Sequence, residues 1–284
     1  MKSIILPVAL ALCAVMAAIA SPEAVRTHDV EKRDVSSHPQ LSPKAKFTFV
    51  VQCSPYKGKK GASRKGARET CNTMCFGTRC HFKKNTYNFD SVSDTIKNKR
   101  RTDAGCIPIC KTDKRFSGMT GCDEFPLAST SEADRGDQIF RCVPKTDNES
   151  QGGQVSKAMK QHCKSFPCTF SFSFKDTKPY RYCNRPLDCQ SDGNFFTKNN
   201  KPVKRDLGSE PEPETEQGGY YQLRSGATIY SPSDLEIGSI AVRNAYANQT
   251  IDEAEAARLE AQGLFVDDDD DEEEMIEDEV VKKL

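Results

Sequence analysis

The run from Cys122 to Gln154 reads CDEFPLASTSEADRGDQIFRCVPKTDNESQGGQ, and most of what the sequence indicates about the fold lies in it or beside it. Within it, Gln138 to Val143 is rich in β-type residues and predicts a strand. Residues 148–153 (NESQGG) are polar and glycine-containing, and they predict a break in the chain. A helix is expected from about Gln154 to Cys163. The run therefore predicts a strand, a glycine turn and a helix in that order.

Further strands and helices are predicted on both sides of this run. Lys46 to Cys53 (KFTFVVQC) is a run of aromatic and β-branched residues, and Thr169 to Phe174 (TFSFSF) alternates polar and aromatic residues as a strand does. Glu69 to Cys80 suits a helix, and residues 93–101 (SDTIKNKRR) suit a second, short helix. We therefore predict a fold of the α+β class, in a small disulfide-rich domain.

The first 20 residues have the pattern of a secretory signal. Lys2 supplies a positive charge, Ile4 to Ile19 is an apolar run, and Ala18-Ile19-Ala20 is a small-residue cleavage pattern. The run is short for a membrane span, and no other segment approaches the roughly 18 apolar residues that a span needs. We predict a secreted, extracellular protein without membrane contact after signal removal. Only 36 % of its 284 residues are hydrophobic, which excludes one large conventional core.

Twelve cysteines remain once Cys13 is assigned to the signal, and all lie within 137 residues. Their even number and the oxidising context predict up to six disulfides, but the sequence leaves their pairing open. A zinc site is disfavoured, because the closest cysteine pairs are separated by three or four residues instead of two. The disulfide candidates are Cys53, Cys71, Cys75, Cys80, Cys106, Cys110, Cys122, Cys142, Cys163, Cys168, Cys183 and Cys189.

Charge divides the rest of the chain into two regions. Residues 34–205 carry 32 Lys and Arg against 16 Asp and Glu, whereas residues 206–284 carry 5 against 22. The dibasic pairs Lys32-Arg33 and Lys204-Arg205 stand at the boundaries and predict a processing protease of a eukaryotic, fungal-type secretory route, with coincidence as the alternative. The predicted organisation is a signal peptide (1–20), a short pro-segment (21–33), a basic disulfide-rich domain (34–205) and an acidic C-terminal tail (206–284), which is a candidate cleaved propeptide.

The acidic tail is predicted to be disordered in large part, because residues 267–274 are eight consecutive acids. A short helix is expected at residues 251–264 (IDEAEAARLEAQGL). One hypothesis is that the tail lies over the basic groove, imitates nucleic acid and inhibits the protein until cleavage after Arg205. The alternative is a solvated tail that only increases solubility.

Acidic residues are few in the basic domain, and several cluster around the quoted run. Asp123, Glu124, Glu132, Asp147 and the amide oxygen of Asn148 are ligands that suit a hard divalent cation such as Mg²⁺ or Mn²⁺. The alternative is that these acids form surface ion pairs with the neighbouring basic residues, Arg135, Arg141 and Lys145.

The stretch CDEFPLAST at residues 122–130, with Asp147-Asn148 and QGGQ at 151–154, resembles the deoxyribonuclease NucA/NucB family. The resemblance covers about residues 104–175 and implies a secreted, metal-dependent endonuclease with a core like a ββα metal finger. It places Asp123 and Glu124 on the family's acidic pair, of which one would activate water and the other would bind the metal or orient the site. Which carboxylate has which role stays open.

The resemblance and proximity in sequence suggest the other site residues. The metal candidates are Glu124, Asn148 and Asp147, with Gln151 and Glu132 in support. The candidates for binding flanking phosphates are Arg141, Lys145 and Lys157. Tyr87, Phe89, Tyr180 and Tyr182 lie among basic residues and are interpreted either as base-stacking groups or as core aromatics.

The sequence therefore predicts a secreted endonuclease that hydrolyses phosphodiester bonds in DNA with Mg²⁺ or Mn²⁺, and RNA remains open as a substrate. The excess of basic residues in 34–205 supports polyphosphate binding independently of the resemblance. A non-catalytic basic toxin or effector that binds anionic surfaces is the first alternative. A structural cysteine-rich wall protein is the second.

Overall fold

The computed structural model describes residues 46–106, 108–203, 218–247, 249–266 and 274–284. The predicted signal peptide and pro-segment, both boundary dibasic pairs and most of the acidic run lie outside these residues. None of the helices described is both long enough and apolar enough to cross a membrane.

The described residues form a mixture of strands and helices, as the α+β prediction requires. The strands are β1 (Phe47–Gln52), β2 (Tyr56–Lys57), β3 (Ser63–Arg64), β4 (Tyr87–Phe89), β5 (Gly121–Phe125), β6 (Ile139–Val143), β7 (Cys168–Lys175), β8 (Phe196–Thr197), β9 (Lys201–Pro202), β10 (Gly219–Leu223), β11 (Thr228–Ser231), β12 (Ile240–Asn244) and β13 (Met275–Lys283). The α-helices are α1 (Arg68–Phe76), α2 (Asp94–Ala104), α3 (Pro108–Thr112), α4 (Lys145–His162) and α5 (Glu253–Ala261). The two predicted strands KFTFVVQC and TFSFSF correspond to β1 and β7.

The largest sheet closes on itself in the order β1-β12-β13-β10-β11-β7, because β7 pairs in parallel with β1 from Phe47↔Phe170 to Gln52↔Lys175. Strand β4 pairs with the start of β7. Every residue of β1 and β7 is buried, since one face packs on the helices and the other faces the inside of the closed sheet. No local sequence pattern predicts this closure, because it depends on pairing between distant strands.

A second, antiparallel sheet has the order β5-β6-β8-β9 and contains the quoted run. Helix α4 follows β6 directly and packs against β5. The predicted break at residues 148–153 is wrong, because this segment lies inside α4, which begins at Lys145. Glycine in a helix costs about 1 kcal/mol relative to alanine. Burial of Val155, Ala158 and Met159 against the core offsets that cost.

All twelve candidate cysteines form disulfides. The pairs are Cys53–Cys71, Cys75–Cys183, Cys80–Cys189, Cys106–Cys122, Cys110–Cys142 and Cys163–Cys168. Two of them join α1 and the turn after it to the segment near residue 189, across more than a hundred residues of chain. Bridges that close such long loops restrict the unfolded chain most.

The C-terminal acidic region is ordered where it is described, so the prediction of a disordered tail is wrong for those residues. It contributes four strands to the closed sheet, β10 to β13. Tyr221, Leu223, Ile229 and Val280 are buried inside the sheet with Val50 of β1, and apolar burial of this kind outweighs the acidic composition.

Helix α5 of the same region covers the basic hairpin β2–β3. The Nζ of Lys57 lies 3.2 Å from Glu255, and the Nζ of Lys65 lies 3.0 Å from Glu260. The backbone N–H of Val266 donates to the carbonyl of Ser63 at 2.9 Å. The expected helix at residues 251–264 is therefore present as α5, and it is held against basic side chains.

Candidate functional site

A cavity of about 460 Å³ lies between α2, α4, the end of β5 and the loop that begins at Cys163 and precedes β7. Helix α4 contributes one face to its wall. Residues 148, 151, 152, 155, 156, 159 and 160 line the cavity, and they recur at the three- and four-residue spacing of a single helical face. The quoted run thus forms much of the cavity wall.

Glu124 is the one acidic side chain among the described residues that line this cavity. Its Oε1 accepts a hydrogen bond from Nε of Arg101 at 3.0 Å and another from the backbone N–H of Ala128 at 3.3 Å. Burial raises the pKa of the Glu124 carboxyl, and the charge of Arg101 opposes that rise. Glu124 can therefore hold a proton closer to neutral pH than an exposed glutamate can.

Arg101 reaches Glu124 because the preceding residue fixes α2. The guanidinium of Arg100 is buried, donates to Asp90 at 2.8 and 3.0 Å, and donates to Asp134 at 2.8 Å. It also donates to the carbonyl of Ala128 at 2.8 Å, which ties α2 to the cavity wall.

Asp123 lies behind the cavity wall, since successive residues of a strand point to opposite faces. Its Oδ1 accepts a hydrogen bond from Nε2 of Gln151 at 3.3 Å, and its buried Oδ2 has no hydrogen-bond partner among the described residues. Burial raises the pKa of Asp123 well above its ordinary value, and the nearby Glu124 charge adds to the rise. Thr73 and Gln151 lower this pKa in part. The acidic pair is therefore divided between the cavity wall and the layer beneath it.

Two amide side chains on α4 present their oxygen atoms as the free ends. The Nδ2 of Asn148 donates to the carbonyl of Cys122 at 3.1 Å, and the Nε2 of Gln151 donates to Asp123. Because both partners are acceptors, each NH₂ group is fixed in place and each carbonyl oxygen remains available. Both residues line the cavity beside Glu124.

Asp147 and Glu132 have other partners and do not line the cavity. The Oδ2 of Asp147 accepts the backbone N–H of Glu69 at 2.9 Å and so caps α1, whose own N-cap residue, Ala67, has no side-chain acceptor. Burial raises the pKa of Asp147 to about 6. Glu132 accepts from the Nζ of Lys84 at 3.0 Å and from the backbone N–H of Asn88 at 3.1 Å.

The predicted phosphate-binding residues also lie away from the cavity lining. Arg141 is buried, and its guanidinium contacts Asp192 at 2.6 Å and Glu69 at 2.9 Å. Lys145 is exposed and pairs with Glu149 at 3.1 Å. Lys157 is on α4 but not on the face that lines the cavity.

Three other basic residues, Lys97, Arg101 and Lys160, line the cavity instead. The position of Lys160 on the cavity face of α4 follows from helical spacing once the extent of the helix is known. Arg101 and Lys97 come from α2, and their position depends on how α2 packs.

Of the four aromatic residues noted in the sequence, only Phe89 lines the cavity, where it faces Phe166. Tyr87, Tyr180 and Tyr182 are buried and belong to the main hydrophobic core. The core interpretation is therefore the correct one for these three tyrosines.

The donor set on the cavity wall suits a hydrated hard cation better than a metal held entirely by protein. No group of three or more His, Cys, Asp or Glu side chains able to hold a metal occurs among the residues described. Mg²⁺ commonly keeps several waters and takes one or two carboxylates together with substrate phosphate. Glu124 with the oxygens of Asn148 and Gln151 would supply such a set, whereas Asp147 does not line the cavity.

Residues 74–165, about a third of the chain, match the family model described as deoxyribonuclease NucA/NucB. Of the cavity-lining residues, all except Phe166 fall inside this match. No curated protein and no solved structure matches the chain.

Proposed function

Because the chain carries a domain of the deoxyribonuclease NucA/NucB family over residues 74–165, we propose that the protein is an endonuclease that hydrolyses phosphodiester bonds of DNA in the cavity around Glu124. The observation that carries the proposal is the composition of the wall, in which one buried carboxylate and two fixed amide oxygens stand beside three basic side chains. A phosphodiester needs both kinds of group, because it is an anion that must be attacked by water.

The basic side chains hold the substrate in this proposal. Lys97, Arg101 and Lys160 line the cavity from two helices and attract the phosphates on either side of the bond to be cleaved. Such contacts release counterions from the nucleic acid, so affinity falls steeply as salt rises. Arg101 also favours the ionised form of the adjacent Glu124 through their ion pair, which opposes the effect of burial on its pKa.

Glu124 accepts a proton from the attacking water in this proposal. Its Oε1 is engaged by Arg101 and by the Ala128 backbone. Its Oε2 lies 4.0 Å from the Sγ of Cys106, a disulfide sulfur without a proton, and so can accept a proton from water. The raised pKa brings the carboxyl closer to the range in which a base works best near neutral pH. Asp123 acts as a positioning residue, since it holds the Gln151 amide with the oxygen left free.

A divalent cation, Mg²⁺ or Mn²⁺, would be held by the oxygens of Asn148 and Gln151 beside Glu124, in a metal-finger-like arrangement of β5, β6 and α4. Such an ion stabilises the negative charge that develops on the phosphoryl group. Asn148 and Gln151 would hold their carbonyl oxygens in fixed orientations, because their amide nitrogens already donate hydrogen bonds to Cys122 and Asp123.

The test is nicking of supercoiled plasmid by the full chain with Mg²⁺, Mn²⁺ or EDTA, repeated on single-stranded DNA and on RNA. Glu124→Gln is expected to abolish metal-dependent nicking, and Asp123→Asn is expected to reduce it while the pH profile keeps its shape. Glu132→Gln is the matched control, because Glu132 is equally buried but outside the cavity. Full activity of Glu124→Gln would refute the proposal. Salt-sensitive binding to DNA without any nicking would favour the alternative of a non-catalytic basic toxin or effector.

An Mn²⁺ titration of the same variants separates the two roles open to Glu124. A base variant loses rate at saturating metal, whereas a ligand variant needs more metal but regains rate. If Asp123→Asn, and not Glu124→Gln, removes the acidic limb of the pH profile, the roles of the two carboxylates are reversed.

We further propose that the protein is secreted and that its acidic region reduces DNA binding by covering basic side chains. Six disulfides suit an oxidising compartment. The ion pairs of Glu255 with Lys57 and of Glu260 with Lys65 support masking of a basic surface by α5. Equal DNA affinity at low salt of the full chain and of its Glu255→Gln/Glu260→Gln variant would contradict the masking. Cleavage after Arg205, which lies outside the described residues, is not expected to end it alone, because β11 and β12 are paired with β7 and β1. N-terminal sequencing of protein from culture medium tests secretion and processing after Arg33.

A further inference from the structure

Phe166 is the most exposed aromatic side chain beside the cavity. It is 52 % exposed, and no other phenylalanine or tyrosine in the described residues belongs to the exposed class. Phe166 lines the cavity, so it borders the space that a ligand would occupy. A single exposed apolar residue is ordinary on a protein surface. An exposed ring at the edge of a charged cavity requires a more specific explanation.

The position of this ring is fixed by a short covalent loop. Cys163 and Cys168 form a disulfide that closes the segment carrying Phe166, and Cys163 also lines the cavity. Phe89 packs against Phe166 with ring centroids 5.9 Å apart and an angle of 37° between the rings. Phe89 is itself held in β4, opposite Cys168 of β7. The two rings therefore form a supported platform rather than a loose side chain.

The surroundings of the platform favour a nucleotide over a purely apolar ligand. Lys97, Arg101 and Lys160 line the same cavity and supply positive charge to it. The wall between them contains Gly152, at which an added Cβ would meet nothing within 4 Å. Aromatic faces next to basic side chains are the combination by which proteins bind single-stranded nucleic acid.

We propose that Phe166, supported by Phe89, stacks on an unpaired nucleobase next to the phosphate bound in the cavity. This subsite rests on the proposed nuclease function and specifies its substrate as single-stranded or locally unpaired nucleic acid. In a duplex the faces of the bases are covered by their neighbours, so a base must leave the stack before it can reach the ring. Sequence preference is weak, because every base has a face on which to stack.

The test measures binding of the full chain to a short single-stranded oligodeoxynucleotide that contains 2-aminopurine, in EDTA so that no cleavage occurs. Stacking on an aromatic ring quenches or shifts the fluorescence of this base. Phe166→Ala is expected to weaken affinity by about tenfold, the usual loss for one stacked base, and to abolish the fluorescence change. Phe166→Tyr is expected to restore both. The salt dependence stays the same in all variants, because no charge is altered.

Leu264→Ala is the matched control, since Leu264 is equally exposed, at 53 %, but does not line the cavity. Wild-type affinity and fluorescence in Phe166→Ala would overturn the subsite even if the protein cleaves DNA. Conversely, a wild-type protein that never cleaves but loses oligonucleotide binding in Phe166→Ala would refute the nuclease function and leave the subsite intact. Phe166→Ala is also expected to lower kcat/KM more on single-stranded than on duplex substrate.

Discussion

Replacement of Asp147 by asparagine tests whether this residue caps a helix or binds a metal. The carboxylate of Asp147 is buried, and it accepts the backbone N–H of Glu69 at the start of α1. Burial raises its pKa from 3.8 to about 6. Asparagine keeps an acceptor oxygen for the same N–H but carries no charge, so Asp147→Asn removes the cost of burying the ionised form and retains the cap.

The size of this cost follows from the pKa difference between the folded and unfolded chain. A carboxyl whose pKa is raised on folding binds protons more tightly in the folded state, so stability falls as pH rises from about 4 to about 6. The shift from 3.8 to about 6 corresponds to about 3 kcal/mol lost at pH 7.5 and to about 0.5 kcal/mol at pH 4. Relative to the wild type, Asp147→Asn should therefore gain about 2.5 kcal/mol between pH 4 and pH 7.5.

The measurement is guanidinium unfolding at both pH values with the disulfides intact. Asp252→Asn is the control, because Asp252 caps α5 through a similar backbone bond to Glu255 but is exposed. Nicking activity is measured on the same samples and is expected to be unchanged. A variant that loses activity, without the pH-dependent gain in stability, would show that Asp147 is a functional ligand and that the capping interpretation is wrong.

Three further predictions concern the cavity and the C-terminal region. Arg101→Gln removes the charge that lowers the pKa of Glu124, so the acidic limb of the kcat/KM profile should move to higher pH. An unmoved limb would exclude Glu124 as the base. Gly152→Ala should raise the free energy of unfolding by up to about 1 kcal/mol, because the added methyl meets nothing within 4 Å and alanine favours the helix. Thermal unfolding measures this gain. The same methyl narrows the cavity, so KM should rise. After cleavage at Arg205 the C-terminal fragment should co-elute with the rest in gel filtration and separate only in denaturant, because β11 pairs with β7 and β12 with β1; separation in native buffer would contradict this.

Short-range patterns predicted β1, β6 and β7 and most of the described α-helices, but they did not predict the other strands. KFTFVVQC and TFSFSF became β1 and β7, and the helix predicted for residues 93–101 became α2, with Ser93 as its N-cap. These patterns depend on the period of the local chain, which the sequence displays directly. The break predicted at NESQGG is wrong because tertiary packing of the rest of α4 outweighs the low helix propensity of the two glycines.

Which residues meet at the cavity could not be read from spacing alone. Asp123 and Glu124 are adjacent in sequence, yet the alternation of β5 sends one beneath the wall and the other into it. Arg141 was predicted to bind phosphate, but in the folded chain its guanidinium forms ion pairs with Glu69 and Asp192, which are distant in sequence. Phe166 belongs to no recognisable motif, and the stacking role proposed for it depends on its contact with Phe89.

The sequence by itself determined several local elements, the twelve cysteines available for disulfides and the acidic motif around Asp123 and Glu124, which lies inside the family match at residues 74–165. The tertiary structure alone decided the pairing of those cysteines, the closure of the sheet and the incorporation of the acidic region into it. The physical reason is that local propensity acts within a few residues, whereas strand pairing and apolar burial join segments far apart in the chain. The same folding decides which of the two adjacent carboxylates lines the cavity.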